Sequence, residues 1–313
     1  MADARALRLE RQLVLAALGL RLDTLDGWVI DRITSSLEEQ QIVAGQTLFM
    51  PGEPPEYLYF AHTAAIRVLK EGSPTWTLHA RWFIGGFDAF REPGRIRQTV
   101  ALADFPALRL QASTWIDLLE DSFTLARRAI SAVSGVVESL EARVARPPAS
   151  ESRSPPWLPP VGAALTPIER LGLLTRVGIF ESATVQAVVD LAAASREVEF
   201  GPGETVIARG TAPPHLVVPL DGEVTAVRAE SGAERRFRAL DVVCFAAAFA
   251  DNPIDWHATA TKRTRALLVP LPPWFDLLED HFSLFRSFMS ALASRREVLL
   301  DALGAETGNV DLT

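Results

Sequence analysis

The chain has 313 residues, 48% of them hydrophobic and 22% charged, which suits two globular domains with cores of their own and excludes a disordered protein. A formal net charge of −8 argues against a nucleic-acid-binding surface. The single cysteine, Cys244, excludes an internal disulfide and fits a reducing compartment. The apolar run 13–20 is too short to span a bilayer. We therefore expect a cytoplasmic protein with neither a membrane nor a nucleic-acid partner.

The first half of the chain changes from a helical pattern to a strand pattern and back. A helical apolar spacing extends to about residue 37. After Gln41, short apolar runs are broken by turns that contain glycine and proline, which predicts strands. These strands are predicted at 48–49, 57–60, 65–69, 76–78 and 99–102. Helical spacing returns from Trp115 to about residue 145.

The second half repeats this order of elements. A helix is predicted near 185–191, short strands between 198 and 271, and a closing helix from Trp274 to about residue 303. Prolines and serines dominate 146–160, which predicts an extended linker. The predicted organisation is a first domain at 1–146, a linker at 147–166 and a second domain at 167–313.

Two matches between the halves identify a duplication. Nine of thirteen positions are identical between 115–127 and 274–286, at an offset of 159. Gly45 and Gly52 match Gly203 and Gly210 at an offset of 158. Matches with nearly the same offset predict one domain type built twice. Evenly spaced short strands between helices predict an α+β fold of two tandem jelly-roll barrels, each a double-stranded β-helix flanked by helices.

This layout resembles the cyclic nucleotide-binding domain superfamily, which includes catabolite activators and protein kinase A regulatory subunits. The resemblance is carried by Gly45 with 50–53, by 57–60 and 115–121 in the first copy, and by Gly203 with 208–210 and 220–224 in the second. It implies that ligand binding would depend on a phosphate-binding cassette. In the family, a Gly-Glu pair of that cassette binds the ribose, and an arginine three residues before a Thr-Val binds the cyclic phosphate.

The first copy departs from this cassette pattern. Gly86 stands at the glutamate position and Ile96 at the arginine position. Arg95 and Arg97 flank Ile96 and are expected to point elsewhere, because neighbouring strand residues face opposite ways. Asp88 would replace the lost acid only if the loop shifts.

The second copy has lost more of the pattern. The stretch 243–251 contains neither a Gly-Glu pair nor a basic residue, and Trp256 and His257 precede its Thr259. An apolar wall cannot offset the desolvation of a phosphate diester, so the sequence argues against cyclic nucleotide binding here. Both cassettes are thus expected to be degenerate.

No constellation of catalytic or metal-binding residues is visible. The five histidines are dispersed without ligand spacing, and Cys244 has no histidine partner nearby in sequence. Phosphate-binding loops, nucleophile elbows and dinucleotide fingerprints are absent from the sequence. We predict no enzyme activity, no metal and no cofactor.

The sequence therefore predicts a non-catalytic cytosolic binding or regulatory protein whose partner is a peptide or a protein. Two alternatives stay open: a cyclic-nucleotide-responsive regulator that uses the first domain, and an accessory subunit of an enzyme. The apolar closing helices predict either an internal pseudo-dimer or a homodimer. It is also open whether the cassette segments simply fill the hydrophobic core and bind no ligand. The candidate ligand-binding residues are Gly85, Gly86, Phe87, Asp88, Arg95, Arg97, Thr99, Cys244, Phe245, Trp256 and His257.

Overall fold

A computed structural model describes residues 25–73, 75–91, 96–144, 157–158, 163–250, 253–307 and 310–311. The side chains of 62, 78–82, 305–307 and 310–311 are outside this description. The chain folds into two compact units. Unit 1 comprises Met1–Val133 and Leu300–Thr313, and unit 2 comprises Ser134–Leu299. Helices combined with antiparallel sheets confirm the prediction of an α+β protein.

Unit 1 is built on one sheet in the strand order β1-β6-β3-β4-β14, with β5 paired to both β3 and β2. Its elements are α1 (Gly27–Ser36), β1 (Glu38–Ile42), β2 (Thr47–Phe49), β3 (Tyr57–Leu69), β4 (Trp76–Ile84), a 3-10 turn (Asp88–Phe90), β5 (Gln98–Ala101), β6 (Phe105–Gln111), α2 (Ala112–Asp121), α3 (Phe123–Arg143) and, after unit 2, β14 (Val310–Asp311).

Unit 2 contains two sheets in the strand orders β11-β10-β12-β8 and β7-β13-β9. Its elements are α4 (Pro167–Leu174), a 3-10 turn (Gly178–Phe180), α5 (Val185–Ala194), β7 (Arg196–Phe200), β8 (Thr205–Ile207), β9 (His215–Asp221), β10 (Val224–Arg228), β11 (Glu234–Phe237), β12 (Trp256–Ala260), β13 (Thr264–Pro270), α6 (Leu271–Asp280) and α7 (Phe282–Thr307).

One strand of unit 1 corresponds to two strands of unit 2. The start of β3 pairs with β6 and its end pairs with β5, so a single strand joins both parts of the sheet where two short strands were predicted. In unit 2 the chain turns at Gly222, which has a φ of +88°. A Cβ there would lie 2.4 Å from the carbonyl oxygen of Arg263, so only glycine fits. The equivalent residue of unit 1, Ala64, lets the strand continue.

Each predicted closing helix is two helices with a break between them. The breaks fall at Ser122, between α2 and α3, and at His281, between α6 and α7. Ser122 is buried, and its hydroxyl accepts a hydrogen bond from the backbone N–H of Leu125, which caps α3. Trp115 and Trp274, at the start of the repeated segment, are buried. None of the helices among the described residues is both long and apolar enough to cross a membrane.

The units do not follow the boundaries of the repeat. Residues 134–143 of α3, the closing helix of the first copy, belong to unit 2. Residues 300–307 of α7, the closing helix of the second copy, belong to unit 1. The domains predicted at 1–146 and 167–313 stay a prediction about the duplicated sequence, and most of the linker lies outside the described residues.

Candidate functional site

The cassette of unit 1 is closed by an aromatic side chain. Gly85 has a φ of +96°, and the backbone N–H of Asp88 donates to its carbonyl at 3.0 Å. A Cβ on Gly86 would lie 2.1 Å from the ring of Phe83. That ring stacks on Phe60 at a centroid distance of 4.7 Å and contacts Trp115 edge-on. An acid at position 86 would therefore have to displace part of the aromatic core. Phe87 and Asp88 are half-buried beside it.

The cassette of unit 2 is part of the hydrophobic core. Cys244 occupies the position equivalent to Gly85 and also has a positive φ, of 49°. The neighbouring Phe245 packs edge-on against Phe288, and Phe249 contacts both Phe288 and Trp274. Burial raises the pKa of the Cys244 thiol far above its usual range. The thiol is therefore protonated at neutral pH and is not a nucleophile in this conformation.

Arg97 does not point away from the interior, which corrects the expectation drawn from sequence register. Arg97, Thr99 and Ala101 alternate onto one buried face, whereas Ile96 is only half-buried. The guanidinium carbon of Arg97 lies 3.3 Å from the ring centroid of Trp76, a cation–π contact. Arg95 lies outside the described residues.

The arginine of unit 1 binds a carboxylate from α7. Asp301 accepts a hydrogen bond from the guanidinium of Arg97 at 2.5 Å and another from the ammonium of Lys70 at 2.5 Å. Burial opposes ionisation of Asp301, but the bonds from Lys70 and Arg97 lower the pKa of this carboxyl below its usual value. The contact joins residues 204 positions apart in sequence. Lys70, Trp76 and Arg97 form what we call the basic–aromatic cluster of unit 1.

Strand register identifies the equivalent cluster of unit 2. Val68 pairs with Trp76 and with Thr99, and Ala226 pairs with Arg235 and with Ala258. A step of two residues along a strand returns to the same face. In unit 1, this step leads from Val68 to Lys70 and from Thr99 to Arg97. In unit 2, it leads from Ala226 to Arg228 and from Ala258 to Trp256. The basic–aromatic cluster of unit 2 is therefore Arg228, Arg235 and Trp256. The tryptophan and one cation have exchanged positions between the two units.

The cluster of unit 2 also binds carboxylates, which come from α3. Glu138 accepts from the guanidinium of Arg228 at 2.8 Å and from the indole N–H of Trp256 at 3.1 Å. Glu141 accepts from Arg235 at 2.6 Å and from Arg295 at 2.8 Å. Trp256 faces this network, whereas the next candidate, His257, is exposed on the opposite face of β12.

Burial and neighbouring charges shift the pKa values of Glu138 and Glu141 in opposite directions. Burial raises the pKa of Glu138 to about 7, the charge of Glu141 adds to the rise, and Arg228 opposes it. Burial alone would raise the pKa of Glu141, but Arg235 and Arg295 together lower it. Three arginines and two glutamates leave one positive charge in excess even when both carboxyls are ionised. The arginines thus hold Glu141 ionised while Glu138 titrates near neutrality.

The chemistry of the two clusters is recognition of carboxylates. No group of three His, Cys, Asp or Glu side chains suited to a metal ion occurs in the part of the chain that the structure describes. Arginine on an aromatic face, with a second cation beside it, suits a carboxylate or another anion. Sequence reasoning placed Trp76 near the pocket but missed Lys70, Asp301, Glu138, Glu141, Arg228 and Arg235. For the three acids, the sequence signal is a helical charge pattern on α3 and α7, which is shared by ordinary solvated faces.

Comparison with known proteins adds weak similarities. No protein-family profile and no curated protein matches the chain. The regulatory domain of Toxoplasma gondii PKA, crystallised with cAMP, is 13% identical with a TM-score of 0.35, over 91% of this chain and 95% of that one. The regulatory subunit of a cAMP-independent protein kinase A from Trypanosoma brucei is 16% identical with a TM-score of 0.33, over 87% and 90%.

A shorter structure matches part of the chain. The sensor domain of the transcriptional regulator DNR from Pseudomonas aeruginosa is 21% identical with a TM-score of 0.35, over 39% of this chain and 85% of that one. All three structures are regulatory or sensor domains. Because their TM-scores are so low, the function of this chain has to be derived from its own residues.

Proposed function

We propose that this chain is a non-catalytic cytosolic regulatory protein, built from two jelly-roll barrels of the cyclic-nucleotide-binding type, that recognises a polypeptide partner. The observation that carries the proposal is the ligand of the two basic–aromatic clusters. In both units, that ligand is a carboxylate on a helix: Asp301 in unit 1, and Glu138 with Glu141 in unit 2. The clusters therefore already bind acidic side chains of a polypeptide.

The cassettes support a polypeptide over a nucleotide. A nucleotide needs polar groups for its ribose and phosphate, and an unpaired phosphate is costly to desolvate. Phe83 fills the space beside Gly86, and Phe245 stands where the second copy would need an acid. An amphipathic peptide needs only apolar contacts and a cation for its acidic residue, which is what the helices that carry Asp301 and Glu141 already find within their own units.

Calorimetric titration of the purified chain with cAMP and with cGMP tests the proposal. We expect no binding heat at micromolar concentrations of either nucleotide. Micromolar binding that disappears in Arg97→Gln, but persists in the control Arg67→Gln, would establish the nucleotide-responsive alternative instead. Arg67 is a suitable control because it is exposed on the same strand as Val68, and its replacement removes the same charge without touching the cluster.

The accessory-enzyme alternative has a separate test. In the form of this alternative that uses Cys244 and not a metal, the Cys244 thiol would have to react, although its burial suppresses the thiolate. Treatment of the folded chain with iodoacetamide at neutral pH should leave Cys244 unmodified until denaturant is added. Rapid alkylation of the native chain, measured by mass spectrometry, would revive that alternative.

A further inference from the structure

We propose that residues 300–307, together with the short strand at 310–311, act as a displaceable internal ligand of unit 1, and that the partner of this unit is an amphipathic helical segment carrying an acidic residue between leucines. The inference rests on the proposed function and specifies its ligand. Asp301, bonded to Arg97 and Lys70, lies between Leu300 and Leu303, which are both buried. This pattern of an acid flanked by leucines defines what the unit binds.

The exposure of the ion pairs indicates which unit can exchange its ligand. The side chains of Asp301 and Lys70 are 31% and 28% exposed, so water reaches their contact, while Arg97 is 3% exposed and lies against Trp76. In unit 2, Glu141 and Arg235 are 1% and 4% exposed. Opening the network of unit 2 would leave charges buried without partners, whereas solvent can replace the Lys70–Asp301 bond as it breaks. Unit 1 is therefore the exchangeable site.

The place of Asp301 in the chain also favours release. It lies in the last turns of α7, and β14 follows as a two-residue parallel pairing on the edge of β4, opposite Trp76 and Thr77. The segment is therefore held at three points: the bonds of Asp301, the buried leucines and this short pairing. A partner with the same pattern would replace the first two contacts, and its backbone would find the edge of β4 free.

A charge-matched peptide experiment tests the inference on the full chain. The probe is a fluorescent synthetic peptide of residues 296–313, and its control is the same peptide with Asp301→Asn. Binding is measured by fluorescence anisotropy. We call the peptide that keeps Asp301 the acidic peptide. We expect it to bind the Asp301→Asn chain at least about tenfold more tightly than the wild-type chain, because the variant's own segment has lost its ionic contact with Arg97 and Lys70. The asparagine peptide should bind at least about tenfold more weakly than the acidic one.

A second substitution shows whether the cluster is responsible. Adding Arg97→Gln to the Asp301→Asn chain should remove the preference for the acidic peptide, whereas adding Arg67→Gln should leave it. Equal binding of both peptides to a folded Asp301→Asn chain, or no binding of either, would overturn the inference. Neither result bears on the titration with cyclic nucleotides, so the proposed function is judged separately.

Hydrogen exchange on the wild-type chain keeps the test valid if Asp301→Asn does not fold. With excess ¹⁵N-labelled acidic peptide, amides of the chain's own residues 300–307 should exchange faster, because the peptide has replaced them. Amides of α6 serve as the internal control and should not change. Unchanged exchange at 300–307 under saturating peptide would contradict a displaceable ligand.

Discussion

Unit 1 and unit 2 place a basic–aromatic cluster at the same register positions but satisfy it differently. Unit 1 pairs Arg97 and Lys70 with one partly exposed aspartate. Unit 2 holds a buried glutamate, Glu141, and a half-buried one, Glu138, among three arginines. A partly exposed pair is weak and exchangeable, whereas a buried network is costly to open once formed. Both units thus hold a carboxylate at a cluster of equivalent register positions, and we have proposed that the contact of unit 1 is replaceable whereas that of unit 2 is permanent.

The largest difference should appear when one carboxylate is neutralised in each unit. Glu141→Gln removes the buried carboxylate that Arg235 and Arg295 share, and we expect a loss of about 3 to 5 kcal/mol of unfolding free energy. Asp301→Asn should cost about 1 to 2 kcal/mol, because solvent reaches the site and Arg97 keeps its contact with Trp76. Urea unfolding of both variants, followed by tryptophan fluorescence, measures the losses. Equal losses would remove the distinction between a permanent and a replaceable contact.

Glu138 of unit 2 and Asp301 of unit 1 should contribute to the pH dependence of stability with opposite signs. The pKa of Glu138 rises from 4.5 to about 7 on folding, so the folded state binds more protons between these values. The contribution of protonated Glu138 to the free energy of unfolding is complete below about pH 4.5. It is lost as the pH rises through 7, and the free energy of unfolding falls by up to about 1.4 kcal/mol per pH unit over this range. The pKa of Asp301 is lowered, so its contribution is present above its ordinary value of 3.8 and is lost as the pH falls below that.

Glu138→Gln separates these two effects. The variant should lose the slope of stability between pH 4.5 and 7 while keeping the fall at lower pH. Urea midpoints measured at half-unit intervals from pH 3 to 8 would reveal both. A slope that is unchanged in Glu138→Gln would mean that Glu138 is ionised in the folded state throughout this range.

Alanine substituted at the equivalent cassette positions 85 and 244 should destabilise the two units to different extents. Gly85→Ala places a Cβ 2.9 Å from the ring of Phe49 and 3.2 Å from Leu58, at a φ that disfavours side chains. We expect a loss of about 2 to 4 kcal/mol, the sum of strain and overpacking. Cys244→Ala keeps a side chain that already has a positive φ and removes only one buried atom, so about 1 kcal/mol should be lost. Denaturant midpoints of the two variants decide whether only unit 1 needs glycine here.

Much of the fold could be predicted from the sequence because the duplication marks it. The repeated segments that begin at Trp115 and Trp274 identified helices that close each copy, and the alternation of short apolar runs identified strands. The sequence did not predict that β3 continues through Ala64 while the equivalent chain turns at Gly222. A single residue that tolerates positive φ decides between these outcomes, and periodicity does not detect it.

The candidate site was harder to predict because its contacts join distant segments. Arg97 was identified as a candidate, but strand alternation alone did not predict that its side chain lies on the buried face with Thr99 and Ala101. Its partner Asp301 lies 204 residues further along, on a helix whose acidic residues resemble an ordinary solvated face. Arg228 and Trp256 became recognisable as equivalents of Lys70 and Arg97 only through strand register. Chemical type alone hid this correspondence, because the tryptophan had changed position.

The smallest difference concerns the helix that opens each copy. At the start of α5, the hydroxyl of Thr184 accepts a hydrogen bond from the backbone N–H of Ala187 at 3.4 Å, whereas Asp26 at the equivalent start of α1 makes no side-chain capping bond. We expect Thr184→Ala to cost about 1 kcal/mol, because an N–H at the helix start loses its partner. Asp26→Ala should cost only about 0.3 kcal/mol, from the helix dipole. Thermal unfolding of both variants tests this order. An equal loss of stability in Asp26→Ala and Thr184→Ala would show that Asp26 caps α1 in solution. The two opening helices would then be capped alike, although the basic–aromatic clusters of the two units differ.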